Sequence, residues 1–274
     1  MKERIIVSLT TYSKRINNIP AVLDTIFSQT VPPDFVVLNL AYEEIVPEEV
    51  QRYIDTHPIE VNRVADTKVF KKLLPTLKKY PNDCIIAIDD DWLYPKGMIA
   101  DFIKMHERYP HCPISGNRII LFGRQCHCGC ASLVKSEYFG GELDLIDDDV
   151  FRNCPSDDIV YTYFVNKAGF SYIRTAEVYY KNMVSYNEGE SYTVSEDGFD
   201  GIAKSYSYLE NRFGRVDAPL KSYISDSYIA DLLHDIHSKD VQRKMEDVRN
   251  EIRSSITYKV GRALVNPFLG FKRK

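Results

Sequence analysis

The apolar runs of this chain are short and separated by helical patterns, and that alternation leaves few folds open. Residues 4–12 (RIIVSLTTY) and 35–41 (FVVLNLA) are β-rich, and residues 84–88 (CIIAI) are apolar throughout. A strand apolar on both faces belongs inside a sheet that is covered on both sides. Between these runs, residues 18–30 carry Ile19, Val22, Leu23, Ile26 and Phe27 at the spacing of one helix face. Residues 47–58 open on Pro47 with Glu48 and Glu49 behind it, which suits a helix start. Residues 59–65 read as a short strand, and 69–81 (VFKKLLPTLKKYP) as a helix made irregular by Pro75. Strands alternating with helices predict an α/β fold, a mostly parallel sheet with helices on both faces.

The pattern is more mixed beyond residue 95. Residues 96–110 read as a helix, and 113–122, 128–136 and 171–180 as strands. Gly140 and Gly141 mark a turn, and 156–169 form a helix opening on Asp157 and Asp158 and ending before Gly169. Residues 185–201 are polar and contain glycine, which predicts a mobile loop. Residues 204–274 read as mostly helical. The division this implies is a domain over 1–203 and a helical C-terminal extension over 204–274.

Composition narrows the function classes. A net charge of −4 over 274 residues excludes a general nucleic-acid binder. No apolar run reaches the roughly 18 residues of a membrane span, and the N-terminal apolar run is too short for a signal peptide. Six cysteines in such a chain fit reduced thiols better than a disulfide framework, so a cytoplasmic location is expected.

The apolar run 84–88 leads directly into Asp89, Asp90 and Asp91, then Trp92. Three adjacent like charges repel, so packing alone does not select them, and something positive must neutralise them. They fall at the carboxyl end of a parallel strand, where α/β sheets bind their ligands. Asp89 and Asp91 form a D-x-D pair pointing one way from an extended segment. Two such carboxylates suit Mn²⁺ or Mg²⁺ bridging to substrate phosphates. The plainer reading is a solvated acidic turn.

Taken in order, IIVSLTTYSKRI with TIFSQTVPPDFVVLNLA, then DTKVFKKLLPTLKKYPNDCIIAIDDDWLYP, then CPSDDIVYTYFVNKAG, resemble bacterial glycosyltransferases of the GT-A type. The nearest group is the family-2-like enzymes of capsule and lipopolysaccharide assembly. The resemblance spans about residues 4–185. It implies a GT-A-like Rossmann-type sheet, a nucleotide-diphosphate-sugar donor (a UDP-sugar first) and a saccharide acceptor. It makes Asp91 the principal metal ligand and Asp89 the second, with Asp90 nearer the ribose or donor sugar. Thr10, Thr11 and Tyr12 would border the base, Asp66 would face the nucleoside, and Lys72 would reach the donor phosphates. A carboxylate base for an inverting transfer falls at Asp157 and Asp158, with Asp158 favoured by analogy with the commoner Glu-Asp pair. The family's tryptophan soon after that pair is replaced here by Val160 and Tyr161. Against these roles stand ordinary ones: a helix cap for Asp66 and for Asp157–Asp158, and a solvated helix face for Lys71 and Lys72.

Other features carry less. CHCGC alternates Cys126, Cys128 and Cys130 around His127, a pattern better read as buried thiols beside a substrate pocket than as a zinc site. LIDDDV holds a second aspartate triple without a long apolar run before it, and reads as an exposed loop. From about residue 252 a basic amphipathic tail suits the inner membrane leaflet, where a lipid-linked acceptor would be met, or packing on the protein body. A nucleotidyltransferase is the second enzyme reading, weakened because SLTTYSKRI has no glycine for a phosphate loop. A non-catalytic sugar-binding scaffold is the third.

Overall fold

The structure, a computed structural model, describes residues 3–116, 118–121, 124–127, 131–174, 184–185 and 196–216. The chain divides into two compact units, 1–219 and 220–274, and the second lies outside the described residues, as does the basic tail. The elements are β1 (Ile5–Thr10), α1 (Ile19–Phe27), β2 (Phe35–Ala41), α2 (Glu48–Thr56), β3 (Ile59–Val64), a 3₁₀ turn (Lys68–Lys72) and α3 (Leu74–Lys79). Next come β4 (Cys84–Ile88), β5 (Trp92–Leu93), α4 (Met98–Arg108), β6 (Ile114–Ser115), β7 (Arg118–Leu121), β8 (Arg124–His127) and β9 (Ala131–Val134). The last are α5 (Asp148–Asn153), α6 (Asp157–Lys167), β10 (Ile173–Arg174), β11 (Val184–Ser185) and α7 (Glu196–Phe213).

Seven strands form one sheet in the order β10-β6-β9-β4-β1-β2-β3. The β4-β1-β2-β3 half is parallel, as the alternating pattern predicts. β9 runs antiparallel to both β4 and β6. The described element between β6 and β9 is the β7–β8 hairpin rather than a crossover helix, and parallel neighbours need a crossover. The pleat sends adjacent residues to opposite faces. Ile6, Val37, Ile85 and Val134 pack against α3 and α6, while Val7, Val36, Ile86 and Leu133 pack against α1, α2 and α4. β4 is 0–4 % exposed along its length, so its position is fixed from both faces and both edges.

Three segments differ from the sequence reading or sharpen it. The helix over 69–81 is split into the 3₁₀ turn and α3, and Pro75 takes the first turn of α3, where its missing N–H costs nothing. Residues 196–201, read as loop, are helical and open α7. Tyr206 and Leu209 on α7 are buried in the core cluster that holds α6, so tertiary packing overrides the glycines at 198 and 201. The first compact unit therefore runs on past residue 203, which falls inside α7. The second aspartate triple is a cap and first helical turn, not a loop: Asp147 accepts from the N–H groups of Asp149 and Val150 and pairs with Arg212 at 2.6 Å. Residues 175–180 and 186–195 lie outside the described residues. No helix among the described residues is long and apolar enough to cross a membrane.

Candidate active site

Strand register assembles the first half of the site. β1 and β4 pair with Ser8 beside Ala87, and the same count continued past the strand ends sets Thr11 beside Asp90. There the Thr11 hydroxyl donates to Asp90 Oδ2 at 2.7 Å. Arg15, one turn beyond β1, donates through Nη1 to Asp90 Oδ1 at 3.1 Å and Asp91 Oδ2 at 2.9 Å. Its guanidinium lies over the Tyr12 ring, 5.7 Å from the centroid. The backbone of Asp89 is held by Tyr94, whose hydroxyl accepts from Asp89 N–H at 2.9 Å and donates to Asp89 C=O at 3.1 Å.

Lys72 assembles the second half. Its ammonium lies 2.9 Å from Asp89 Oδ1 and 3.1 Å from Asp157 Oδ2, joining the end of β4 to the first turn of α6. Both long-range partners are nearly enclosed, with side chains 12 % exposed for Lys72 and 9 % for Asp157. A buried polar network fixes the turn that carries Lys72. Ser8 Oγ donates to Lys72 C=O at 2.5 Å and lies 2.7 Å from Thr76 Oγ1. Asn39 donates to both hydroxyls, and Asn62 donates to Asn39 Oδ1 at 2.8 Å. Each member is satisfied inside the protein, so the network holds the turn rigidly rather than leaving buried polar groups unpaired. Lys68 enters the same turn with φ +54°, a left-handed conformation strained for a residue with a side chain.

Burial and crowding of like charge set the electrostatics. Burial pushes Asp91 up to about 6, Asp89 adds to the rise, and Arg15 opposes it. Burial raises Asp90 as well, against the Thr11 hydrogen bond and Arg15. Asp157 is raised by burial, with Lys72 opposing. Burial works against the Lys72 ammonium, but Asp157, Asp89 and Asp158 outweigh it, and its pKa stands well above the ordinary lysine value. Among the described residues, five carboxylates (Asp89, Asp90, Asp91, Asp157 and Asp158) thus stand near the two cations Lys72 and Arg15.

Of the residues singled out from sequence, Lys72, Asp89 and Asp157 meet in one ion-paired cluster, and Thr11, Asp90 and Asp91 in another joined through Arg15. Asp158 opens α6 beside Asp157 and is half-buried. Thr10 turns its hydroxyl to Asn39 C=O at 2.7 Å, while Tyr12 is 38 % exposed. Asp66 is paired with the buried Lys71 and accepts from Lys68 N–H at 3.1 Å. Lys71 and Lys72 are not a solvated face: both are enclosed and ion-paired. Arg15 was not singled out. A cation in SKRI straight after a strand facing three aspartates was the available signal. Cys126 and His127 lie on β8. The side chains of the CHCGC segment lie outside the described residues.

No protein-family model matches the chain, and no curated protein matches it. Among solved structures the chain is similar to a mannosyltransferase, PcManGT from Pyrobaculum calidifontis, in complex with GDP-Man and Mn²⁺. The identity is 16 %, over 95 % of this chain and 83 % of that one, with a TM-score of 0.58. It also aligns with a 4-diphosphocytidyl-2C-methyl-D-erythritol synthase (12 % identity, 69 % and 95 % covered, TM-score 0.46). A third is S. aureus TarS 1–349 with UDP (12 %, 64 % and 59 % covered, TM-score 0.44). The first of these shows that the sheet and its flanking helices have the fold of a known glycosyltransferase.

Proposed function

We propose that the protein is a metal-dependent glycosyltransferase, moving a sugar from a nucleotide-diphosphate sugar to a saccharide acceptor with inversion. The observation that carries this reading is the Lys72 bridge, in which one ammonium links the aspartate run after β4 to the acidic pair opening α6. Such a transfer needs two carboxylate centres with separate duties. One holds the cation of the departing diphosphate, and the other takes the acceptor's proton.

The residues fit a hard divalent cation. The donors are carboxylate oxygens, the type such an ion takes, and burial raises Asp91 to about 6, with Asp89 adding to the rise and Arg15 opposing it. Asp91 and Asp89 would hold Mn²⁺ or Mg²⁺. Such an ion neutralises charge on the diphosphate. Lys72 stands where it can pair with a donor phosphate, and Asp157 keeps it there. Asp158, half-buried in the first turn of α6, takes the proton from the acceptor hydroxyl. Tyr12 offers its exposed ring to the base, with Thr10 and Thr11 holding the strand end beneath it. Asp66 lies at the nucleoside side. We assign the tail from about residue 252 to the inner leaflet, a lipid-linked saccharide as acceptor, and surface-polysaccharide assembly as the role.

Calorimetric titration with a panel of nucleotide sugars, with and without Mn²⁺, tests the donor. Binding should need the metal, and Asp91→Ala should abolish it in a folded protein. Asp158→Asn should lower turnover by about 10²–10⁴ while leaving nucleotide affinity unchanged. Metal-independent binding, or full turnover in Asp158→Asn, would overturn the assignment.

A further inference from the structure

At the end of β4 remote from the aspartates, three side chains of metal-ligand type converge from distant parts of the sequence. Glu3 precedes β1, Cys84 opens β4, and His106 lies in the last turn of α4. Cys84 Sγ is 3.4 Å from Glu3 Oε2 and 3.5 Å from His106 Nε2, and those two atoms are 3.4 Å apart. Among the described residues this is the group of three His, Cys, Asp or Glu side chains whose ligand atoms all lie within 4.8 Å of one another.

The triangle has the edges of a zinc tetrahedron. With Zn–S about 2.3 Å and Zn–N and Zn–O about 2.1 Å, tetrahedral angles put N and O roughly 3.4 Å apart, and S roughly 3.6 Å from each. Hydrogen bonds explain the triangle less well. The thiol has one proton and the imidazole Nε2 at most one, so three mutual contacts have at most two protons to share. A cation at the centre satisfies all three. The fourth neighbour supports the same geometry. Lys135 Nζ holds the other oxygen of Glu3, Oε1, at 2.7 Å and is itself matched by Glu137 at 2.9 Å, so Glu3 presents Oε2 inward. Outer partners of this kind orient metal ligands.

We propose that Glu3, Cys84 and His106 form a site for Zn²⁺ or a similar borderline transition metal, with water as the fourth ligand. It differs in kind from the aspartate cluster, whose all-oxygen donors suit Mg²⁺ or Mn²⁺. Its role is a staple. It fastens the chain before β1 to the start of β4 and the end of α4, beside the Arg4–Asp83 ion pair at 2.6 Å and the Cys84 N–H to Arg4 C=O bond at 3.0 Å.

Chelator-stripped full-length protein titrated with Co²⁺ tests the site. We expect one equivalent bound with a near-ultraviolet thiolate charge-transfer band and visible bands of tetrahedral intensity, displaced by Zn²⁺. X-ray absorption of the cobalt protein should show one sulfur among nitrogen and oxygen neighbours. Cys84→Ser should lose the charge-transfer band. His106→Gln should weaken Co²⁺ beyond the roughly 10–100-fold that loss of an outer partner costs. A band that survives in Cys84→Ser, or two or more sulfurs at the cobalt, places the metal on other cysteines such as Cys126–Cys130 and overturns the proposal. So does a folded wild-type protein that takes Co²⁺ without any thiolate band, or takes none.

Discussion

Replacing Lys72 by methionine removes a cation that bridges the two acidic clusters, leaving Asp157 enclosed and Asp89 partly exposed without it. At 2.9 and 3.1 Å, each contact is worth about 5–6 kcal/mol at an effective dielectric of about 20, before the cost of burying the charges is subtracted. Breaking a buried pair from one side typically costs about 3–5 kcal/mol, because the orphaned charge stays behind. Part of that loss is relieved when Asp157 takes up a proton. Its pKa is already raised by burial, and without Lys72 it rises further. An acid with a raised folded-state pKa contributes stability below its unfolded pKa and loses it as the pH climbs through the folded value. The deficit of Lys72→Met should therefore be larger at pH 8 than at pH 5. Urea unfolding of wild type and variant at the two pH values measures it. Adding Asp157→Asn to Lys72→Met should restore about 0.5–3 kcal/mol at pH 8, the range of couplings between contacting residues. A deficit independent of pH, together with no rescue by Asp157→Asn, would show that the bridge carries no electrostatic weight.

Two further outcomes concern single residues. Lys68, exposed at φ +54°, should tolerate glycine with a gain of up to about 1 kcal/mol, whereas β-branched Lys68→Val should lose about 1–2 kcal/mol; chemical denaturation of both variants tests whether the strain is real. Asp147 caps α5 and is held down at about 2, first by its Arg212 hydrogen bond, so it contributes stability above the ordinary aspartate range that is lost as pH falls toward 2. In acid unfolding, Asp147→Asn should flatten that limb while keeping a cap, and Asp147→Ala should cost about 1 kcal/mol more at neutral pH through loss of the cap.

The parallel half of the sheet was legible because β1, β2 and β4 are largely apolar on both faces and a helix lies in each connection. Both signals survive in a single sequence. The reversal at β9 was not, since a four-residue apolar strand such as Ala131–Val134 reads the same in either direction. The aspartates after β4 stood out in the sequence as a candidate site because charge repulsion marks them. Their pairing with cations was not legible: the resemblance named Lys72 only for the donor phosphates, and nothing singled out Arg15. Arg15 and Lys72 are ordinary cations in sequence, and only strand register and a 3₁₀ turn pinned by Ser8, Asn39 and Thr76 bring them to the carboxylates. The start of α7 was hidden for the opposite reason. Its glycines and acids argue locally for a loop, and the burial of Tyr206 and Leu209 that decides for helix is a long-range fact.

β4 is the common ruler for both clusters. Five buried residues paired on both edges fix its register, and a slip of one residue would turn Ile85 and Ala87 to the wrong layer. Asp90 cannot drift from Thr11, nor Cys84 from Arg4 and Glu3, without breaking the whole central ladder. The same rigidity keeps the two ends independent. At about 3.3 Å per residue the strand separates Cys84 from Asp89 by roughly 17 Å. That exceeds the screening length of about 8 Å at physiological salt, so charge placed at one end is only weakly felt at the other. A Cys84→Ser protein that keeps its core should thus bind nucleotide sugar as the wild type does even while losing cobalt's thiolate band. Asp91→Ala should do the reverse. If instead either substitution silences both ends, the strand has moved, and neither variant reports on its own site.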